Sequence, residues 1–523
     1  MTGGDLVVRC LLEQRVRTVF GIPGALNIHL YRALRGRQAD VRHILVRHEL
    51  GGAWMADGYS RASGDVGVVC TVPGPGASHA VSGVAGAYTE CSRVLVLASQ
   101  GETRWRGHLR RNLFHGLDQA RLYAPVTKFS VCITRAEQIP EGMAEAFYRL
   151  RQGRPGPVYV ELPADVLGAS ALGEVPPYQN PPRQPPDAAV VARAAAALAE
   201  ARRPLILAGD GVLHSDATEE LGALAHRVRA PVITTVMGKG ALPEDYPWSL
   251  GDMNSLAGSQ AYPQADLIFA VGCRFVQTDT RWPWFTPPPR LVHVDADPRE
   301  VGRLFSPEVG MIADPKLALA ALDAALAKRN PLPQNDWNAV FPALKRQSDA
   351  RAEADPVVAA LRRALPRETL VSWDVCYPGY RSRSDWFAYQ PRGYYYPGVY
   401  VDMGFGLPVG IGARLARPEC PLCVVTGDGG FQMSMPELGT AVQHRLPLVV
   451  VLVNDRGFKL IRLAYDRTGD SGHFAVDLVN PDFIALARAY GIEAERVRDV
   501  DQLETAVKRA IGRDTVTLVE LAL

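Results

Sequence analysis

The stretch PLCVVTGDGGFQMSMPELGTAVQHRLPLVVVLVND (421–455) decides how this chain folds. It opens and closes on continuous apolar runs, LCVV and LPLVVVLV, which lack the alternation of a half-solvated strand. Such runs indicate strands buried on both faces. The segment between them, 436–445, reads as helical. Strand, helix and strand in that order imply parallel neighbours joined by a right-handed crossover. The first strand leads into Gly427-Asp428-Gly429-Gly430, where absent side chains let the backbone approach an anion. Asp428 ends one strand and Asn454 ends the next. In parallel neighbours both ends lie on one edge, where open α/β sheets bind ligands. A carboxylate, an amide oxygen and a backbone carbonyl suit Mg²⁺. A tight turn with an incidental Asp is the competing reading, and the strand contexts with the distant Asn weigh against it.

The same pattern continues outward. Further apolar runs are VGVVCTV (66–72), VLVLAS (94–99), PVYVEL (157–162), PLILAG (204–209), PVITTV (231–236), LIFAVG (267–272), LVHVDA (291–296), LVSWDV (370–375) and TVTLVEL (515–521). Helical stretches such as VVARAAAALAEA (190–201) lie between them. Two proline-interrupted breaks, EVPPYQNPPRQPPD (174–187) and NPLPQND (330–336), stiffen the chain as linkers do. The expected fold is α/β, with three doubly wound parallel-sheet domains at 1–173, 188–329 and 340–523. The shared alternation suggests three related units.

Composition narrows the function. Of 523 residues, 47% are hydrophobic and 21% charged, which excludes disorder as the dominant state. A net charge of +2 gives no broad basic field, so no nucleic-acid partner is expected. No apolar run is long enough for a membrane span. The opening MTGGDLVVRCLLEQRV shows no secretion signal, and eight scattered cysteines form no disulfide framework. A cytoplasmic location is expected. Cys420 and Cys423 form a lone CxxC, which reads as the start of a buried strand rather than a zinc site.

The 426–455 segment resembles the diphosphate-and-metal motif of thiamine diphosphate-dependent enzymes, in the acetolactate synthase/2-oxoacid decarboxylase superfamily. FGIPGALN (20–27) and RHELGGAWMADGYSR (47–61) resemble the GxPG loop and glutamate helix of that family's pyrimidine-binding domain. TVPGPGASHAVSGVAGAY (71–88), GRPGPVYVELPADV (153–166) and VDMGFGLPVGIGARLA (401–416) resemble further family segments. RPLILAGDGV, TTVMGKGALPED, ADLIFAVGCRF and LVHVDADP match the central domain, so the resemblance spans nearly the whole chain.

The resemblance implies bound thiamine diphosphate and Mg²⁺. Asp428, the Asn454 side chain and the Arg456 carbonyl would hold the metal, and the metal and Gly427, Gly429 and Gly430 the diphosphate. Pro23 lies in the GxPG loop of the cofactor site. Glu49 matches the acid that hydrogen-bonds the pyrimidine N1′ and promotes the imino tautomer, whose N4′ takes the C2 proton. Burial raises the pKa of such an acid and keeps a proton available for sharing. A glutamate favoured at a helix start by the dipole is the plainer reading. Met403 would press under the cofactor, and the Val401 carbonyl would accept from N4′. Val401 stands where the family usually has Gly. Pyrimidine and diphosphate domains of different subunits face each other in this family, so a homodimer or homotetramer with interfacial sites is expected.

Common to the family is a carbanion equivalent at C2, formed from a 2-oxo acid or an acyloin, with the cofactor as electron sink. Pyruvate-type decarboxylases carry Asp after GxPG, a His-His pair and a Glu beyond the metal Asn. Here those positions are Ala25, Phe114-His115 and Ile461. Benzoylformate-type decarboxylases carry Ser and His, here Ala25 and Cys70. Missing proton donors favour addition to a second carbonyl. The acetohydroxyacid synthase pattern is also incomplete: the FQE glutamine aligns with His115, RFDDR reads Arg274-Phe275-Val276-Gln277-Thr278, and the selective Trp is Ala464. Loss of RFDDR makes bound FAD unexpected.

The expected function is therefore acetolactate synthase-like carboligation, from a 2-oxo acid, pyruvate first, to a carbonyl acceptor. Benzaldehyde lyase-like cleavage or simple decarboxylation is the alternative. His115 is the candidate for moving protons, a structural histidine being the bland reading. Ala25, His79, Phe114 and Lys459 complete the candidate substrate residues. RWRGHLRR (104–111) either forms a solvated loop or attracts an anionic substrate through Arg104 and Arg111.

Overall fold

Every one of those apolar runs contains a parallel strand. The computed structural model describes the whole chain except residues 109–111, 179, 281–285, 287–289, 330–334 and 470–471. The first sheet comprises β1 (Thr18–Gly21), β2 (Arg42–Leu45), β3 (Gly67–Thr71), β4 (Val94–Gln100), β5 (Phe129–Cys132) and β6 (Val158–Pro163), in the order β2-β1-β3-β4-β6-β5. The second holds β7 (Pro204–Ala208), β8 (Val232–Thr234), β9 (Ser249–Asp252), β10 (Leu267–Val271), β11 (Leu291–Asp295) and β12 (Val309–Ile312), in the order β12-β11-β10-β7-β8-β9. The third holds β13 (Leu370–Trp373), β14 (Tyr394–Tyr395), β15 (Leu422–Gly427), β16 (Leu448–Asn454), β17 (Glu493–Val497) and β18 (Val516–Ala522), in the order β14-β13-β15-β16-β18-β17.

The first and third sheets thus share one topology, and the central sheet has another. The suggestion of three alike units holds for two of them. Strand order reverses at β1 beside β3, at β7 beside β10, and at β13 beside β15. Connections leave in opposite directions there and open a crevice beyond the strand ends. The GxPG loop follows β1, and TVPGPG overlaps the end of β3. The Gly427–Gly430 turn follows β15.

The proline-rich stretch 174–187 carries no helix or strand among its described residues. Asp187 then caps the helix Ala188–Glu200 by accepting from the Ala189 and Val190 amides. The second break falls largely on 330–334, outside the described residues. No helix among the described residues is long and apolar enough to cross a membrane. Cys423 lies in β15 and Cys420 just before it, both buried.

The first and third domains share one hydrophobic core. Trp54, Met55 and Ala56 from helix Glu49–Ser63 and Leu407, Val409 and Ile411 from helix Gly406–Ala416 belong to it. The two helices meet backbone to backbone. A Cβ on Gly58 would lie 2.1 Å from the Val409 carbonyl oxygen, and one on Gly412 would lie 2.0 Å from that of Met55. Small residues here are a requirement of approach, since helix pairs with full side chains keep 8–10 Å between axes.

Gly412→Ala should therefore lower the thermal unfolding midpoint, at a cost of about 1–3 kcal/mol for overpacking. Gly36→Ala, at a helical glycine with nothing within 4 Å of its added Cβ, should leave the midpoint unchanged or raise it. Equal effects of the two substitutions would contradict the close contact.

Candidate active site

One half of the site forms where β1 and β3 diverge. Asn27 pins the GxPG loop by accepting from the Gly24 amide (2.7 Å) and donating to the Ile22 carbonyl (3.2 Å), leaving Pro23 and Ala25 exposed. Glu49 begins the next helix. His48 caps that helix by accepting from the Leu50 amide. Glu437, from the third domain, accepts from the Arg47 and His48 amides at 3.1 Å each. The helix start is thereby anchored across the domain boundary.

Glu49 is 8% exposed. Its Oε2 lies 3.1 Å from His79 Nδ1, and the His79 ring stacks on His48 with centroids 4.5 Å apart. These three side chains also form the one cluster among the described residues that brings at least three potential ligand atoms together. Gly76, in the first turn of the helix Pro75–Thr89, would place a Cβ 3.0 Å from Glu49 Oε1. The turn between β3 and that helix receives His115, whose Nδ1 lies 3.0 Å from the Pro73 carbonyl oxygen. His115 sits at φ 57°, an unusual conformation for a residue with a side chain. Its ring stacks on Phe114, which is 72% exposed. Buried Cys70 lies in β3, where burial pushes its thiol up to about 12.

The other half forms where β13 and β15 diverge. Asp428 Oδ1 accepts from the Gly429 amide (2.9 Å), and its Oδ2 accepts from the Gly457 amide (3.0 Å) and the Asn480 Nδ2 (2.6 Å). The same Asn480 Nδ2 donates to Asn454 Oδ1 at 2.9 Å. Two oxygens, one from the helix start after β15 and one from the end of β16, therefore converge on one point. Asn454 is turned this way because its Nδ2 donates to Glu520 Oε1 (2.8 Å), and Glu520 is held in turn by Arg496 (2.8 Å). A converging carboxylate and amide oxygen, with an oriented outer partner, fit a small hard cation. The Arg456 carbonyl does not join them here. It accepts from Arg462 Nη2 (2.9 Å) and the Leu478 amide (3.0 Å). A cation at this point has to replace the Asn480 amide, and a bond to Arg456 has to exchange those donors.

Glycines shape the anion cradle. A Cβ on Gly430 would come 3.0 Å from Asp374, and one on Gly429 would come 2.7 Å from Phe458. Gly427 caps the helix Asp428–Ser434. Asp374 is buried and accepts from the Gly404 amide and Thr426 Oγ1, both at 2.9 Å. It ties the 401–404 loop to the end of β15. Val401 in that loop sits at φ 54°, a strained conformation for a β-branched residue. Asp402 beside it accepts from Trp54 Nε1 (3.2 Å) and Ser82 Oγ (3.3 Å), which links the loop to the first domain. Burial raises the Asp402 carboxyl to about 6 against those hydrogen bonds. Met403 is half-buried next to it. Lys459 lies over the Tyr377 ring, 4.6 Å from its centroid.

Three domain profiles match the chain in this order: thiamine pyrophosphate enzyme, N-terminal TPP binding domain, at 1–122; central domain, at 191–322; and C-terminal TPP binding domain, at 376–521. The chain is 33% identical to a "Probable acetolactate synthase large subunit" of Methanocaldococcus jannaschii, over 100% of this chain and 92% of the relative. It is 36% identical to a "Probable 2-ketoarginine decarboxylase" of Pseudomonas aeruginosa, over 100% and 94%. It is 31% identical to the acetolactate synthase isozyme 3 large subunit of Escherichia coli, over 98% and 92%. The chain belongs to the thiamine diphosphate-dependent enzyme family.

Several residues of this thiamine diphosphate enzyme escaped the sequence reading. Gln119, a few residues past the expected glutamine position, is fully buried and accepts from the Gly74 amide (2.8 Å). Asn480, Glu520 and Asp374 lie far along the chain from the motifs they serve. Only Gln119 carried a sequence signal, as a glutamine within a few residues of a family position. A cavity of about 700 Å³ between the first and central domains opens at the β7–β10 reversal. It is where a nucleotide-bearing cofactor would sit. Arg274 there lies 3.2 Å from Asp210, and Arg154 reaches Asp297 (3.2 Å) and Glu300 (3.1 Å), so these cations are paired within the chain. Arg104 pairs with Glu102 at 2.5 Å, which weakens its claim to an anionic substrate, and Arg111 lies outside the described residues.

Asp428→Ala should abolish the Mg²⁺-dependent thermal shift given by thiamine diphosphate. Glu520→Ala, which frees the Asn454 amide to rotate, should weaken Mg²⁺ by about 10–100-fold in the same titration. An unaltered titration for either variant would place the metal elsewhere.

Proposed function

We propose that the enzyme decarboxylates a 2-oxo acid and passes the resulting acyl-anion equivalent to a second carbonyl, as an acetolactate synthase-like carboligase. Thiamine diphosphate, when bound, supplies the electron sink for CO₂ loss. The chain supplies the rest. Glu49 would hydrogen-bond the pyrimidine. Asp428, Asn454 and, after exchange of its present partners, the Arg456 carbonyl hold Mg²⁺, and the Gly427–Gly430 turn takes the diphosphate. The strained Val401 presents its carbonyl, and Met403 packs against the coenzyme. His115 moves a proton on the acceptor oxygen.

The observation that carries this reading is the distribution of proton donors. Ala25 and Ile461 offer none, and Cys70 is a buried thiol that burial keeps protonated. An anion that meets no acid at these positions is left to attack a carbonyl. His115 stands at an open rim beside exposed Phe114, where a second substrate has room. Support for a site shared by two copies comes from the anchoring of Glu49. Within one chain the amides before Glu49 are held by Glu437, three residues past the end of the helix Asp428–Ser434, which is ~10 Å long. Pairing Glu49 with Asp428 of a second copy, in a homodimer or homotetramer, brings both to one coenzyme.

One observation favours a second reading. His79, half-exposed and hydrogen-bonded to Glu49, is an imidazole close to the coenzyme's expected place. It could protonate the anion and release an aldehyde, as the name of the Pseudomonas relative would suggest. Incubation with pyruvate, thiamine diphosphate and Mg²⁺ separates the two. Acetolactate as the main product supports ligation, and free acetaldehyde supports decarboxylation. Glu49→Gln should lower turnover by about 10²–10⁴-fold whichever product forms. Turnover unchanged in that variant would remove the coenzyme-activation role.

A further inference from the structure

A cavity of about 190 Å³ opens beside the Phe114–His115 turn, in the first domain. Leu26, directly after Ala25, Phe114 and Trp105 supply apolar lining. Glu161, at the end of β6, lies at its buried end and is 5% exposed. The Glu161 Oε2 is fully engaged: it accepts from Tyr159 Oη (2.8 Å), Gln119 Nε2 (3.4 Å) and Gln100 Nε2 (3.5 Å). Its Oε1 receives no hydrogen bond among the described residues. Glu161 lines the cavity, and this oxygen is open to accept from a ligand there.

The surroundings define that ligand. Glu102 adds a second carboxylate at the rim, paired with Arg104. Arg106 also lines the mouth, but it is exposed, so water screens it. The interior therefore combines apolar walls with one negative end. That combination suits an aliphatic chain ending in a guanidinium or ammonium, whose N–H groups would satisfy Oε1 and whose charge would offset the carboxylate. Glu161 is also tied to the coenzyme side. Gln119 bridges it to the Gly74 amide, at the start of the helix whose first turn packs on Glu49.

We infer that this cavity takes the cationic end of the substrate's side chain, so that the enzyme acts on 2-oxo acids carrying a basic chain in preference to pyruvate. The inference rests on the reading of the enzyme as acting on a 2-oxo acid donor, and adds its chain chemistry. It holds whether the acyl anion is ligated or protonated.

The test compares CO₂ release from 5-guanidino-2-oxopentanoate, 2-oxohexanoate and pyruvate, with thiamine diphosphate and Mg²⁺ present. The wild-type kcat/KM should favour the guanidino acid over 2-oxohexanoate by roughly 10-fold or more, the size of a charged hydrogen bond. Glu161→Gln keeps the shape and removes the charge, and should collapse that ratio toward one. Leu26→Trp fills the mouth, and should depress both long acids relative to pyruvate. A wild-type ratio near one, or a ratio unmoved in Glu161→Gln, overturns the inference. Should none of the three acids react, the functional reading fails, and calorimetry with 4-guanidinobutyrate still judges the cavity. Binding to wild type that is lost in Glu161→Gln sustains it, and no binding to wild type overturns it.

Discussion

The relation between the first and third sheets of this chain rests on bare backbone. Gly58 and Gly412 let the helices Glu49–Ser63 and Gly406–Ala416 touch at their carbonyls. The side chains around that contact then merge the first and third domains into a single core. Glu437 reinforces it by capping the start of the Glu49 helix from the other domain. A rigid core transmits position because interiors pack at near-crystalline density and have no slack to absorb a shift.

On that frame the polar groups are arranged in relays. Arg496 holds Glu520, Glu520 turns Asn454, and Asn454 faces Asp428 across the Asn480 amide. On the other half, Gln119 links Gly74 to Tyr159 and Glu161. Each relay satisfies buried donors and acceptors that would otherwise be costly, and in doing so sets the orientation of a group facing the site. His115 and Val401 both adopt left-handed backbone conformations beside the candidate site. Such outliers persist only where surrounding contacts over-determine them.

Much of the architecture was legible before any coordinates. The apolar runs located the strands buried on both faces. The strands that escaped were β1, only four residues long, and the edge strands β2, β5, β9, β12, β14 and β17. Edges face solvent and are kept short or polar, as in EAERV of β17 and RHIL of β2, so they lack the signal of continuous apolarity. The difference between the central sheet and its neighbours was equally silent, because strand order is not written in any single strand.

The sequence by itself determined the fold class, the coenzyme family and the carboxylates at the turns, because each depends on a short contiguous motif: an apolar run, a glycine turn, a glutamate opening a helix. Only the tertiary structure decided which distant residues complete those motifs. Asn480 and Glu520 reach Asp428 and Asn454 from elsewhere in the chain, and Glu161 meets Leu26 and Phe114 across a cavity. Such pairings arise from sheet order and helix packing, in which residues remote along the chain come within hydrogen-bond distance, and local spacing carries no trace of them.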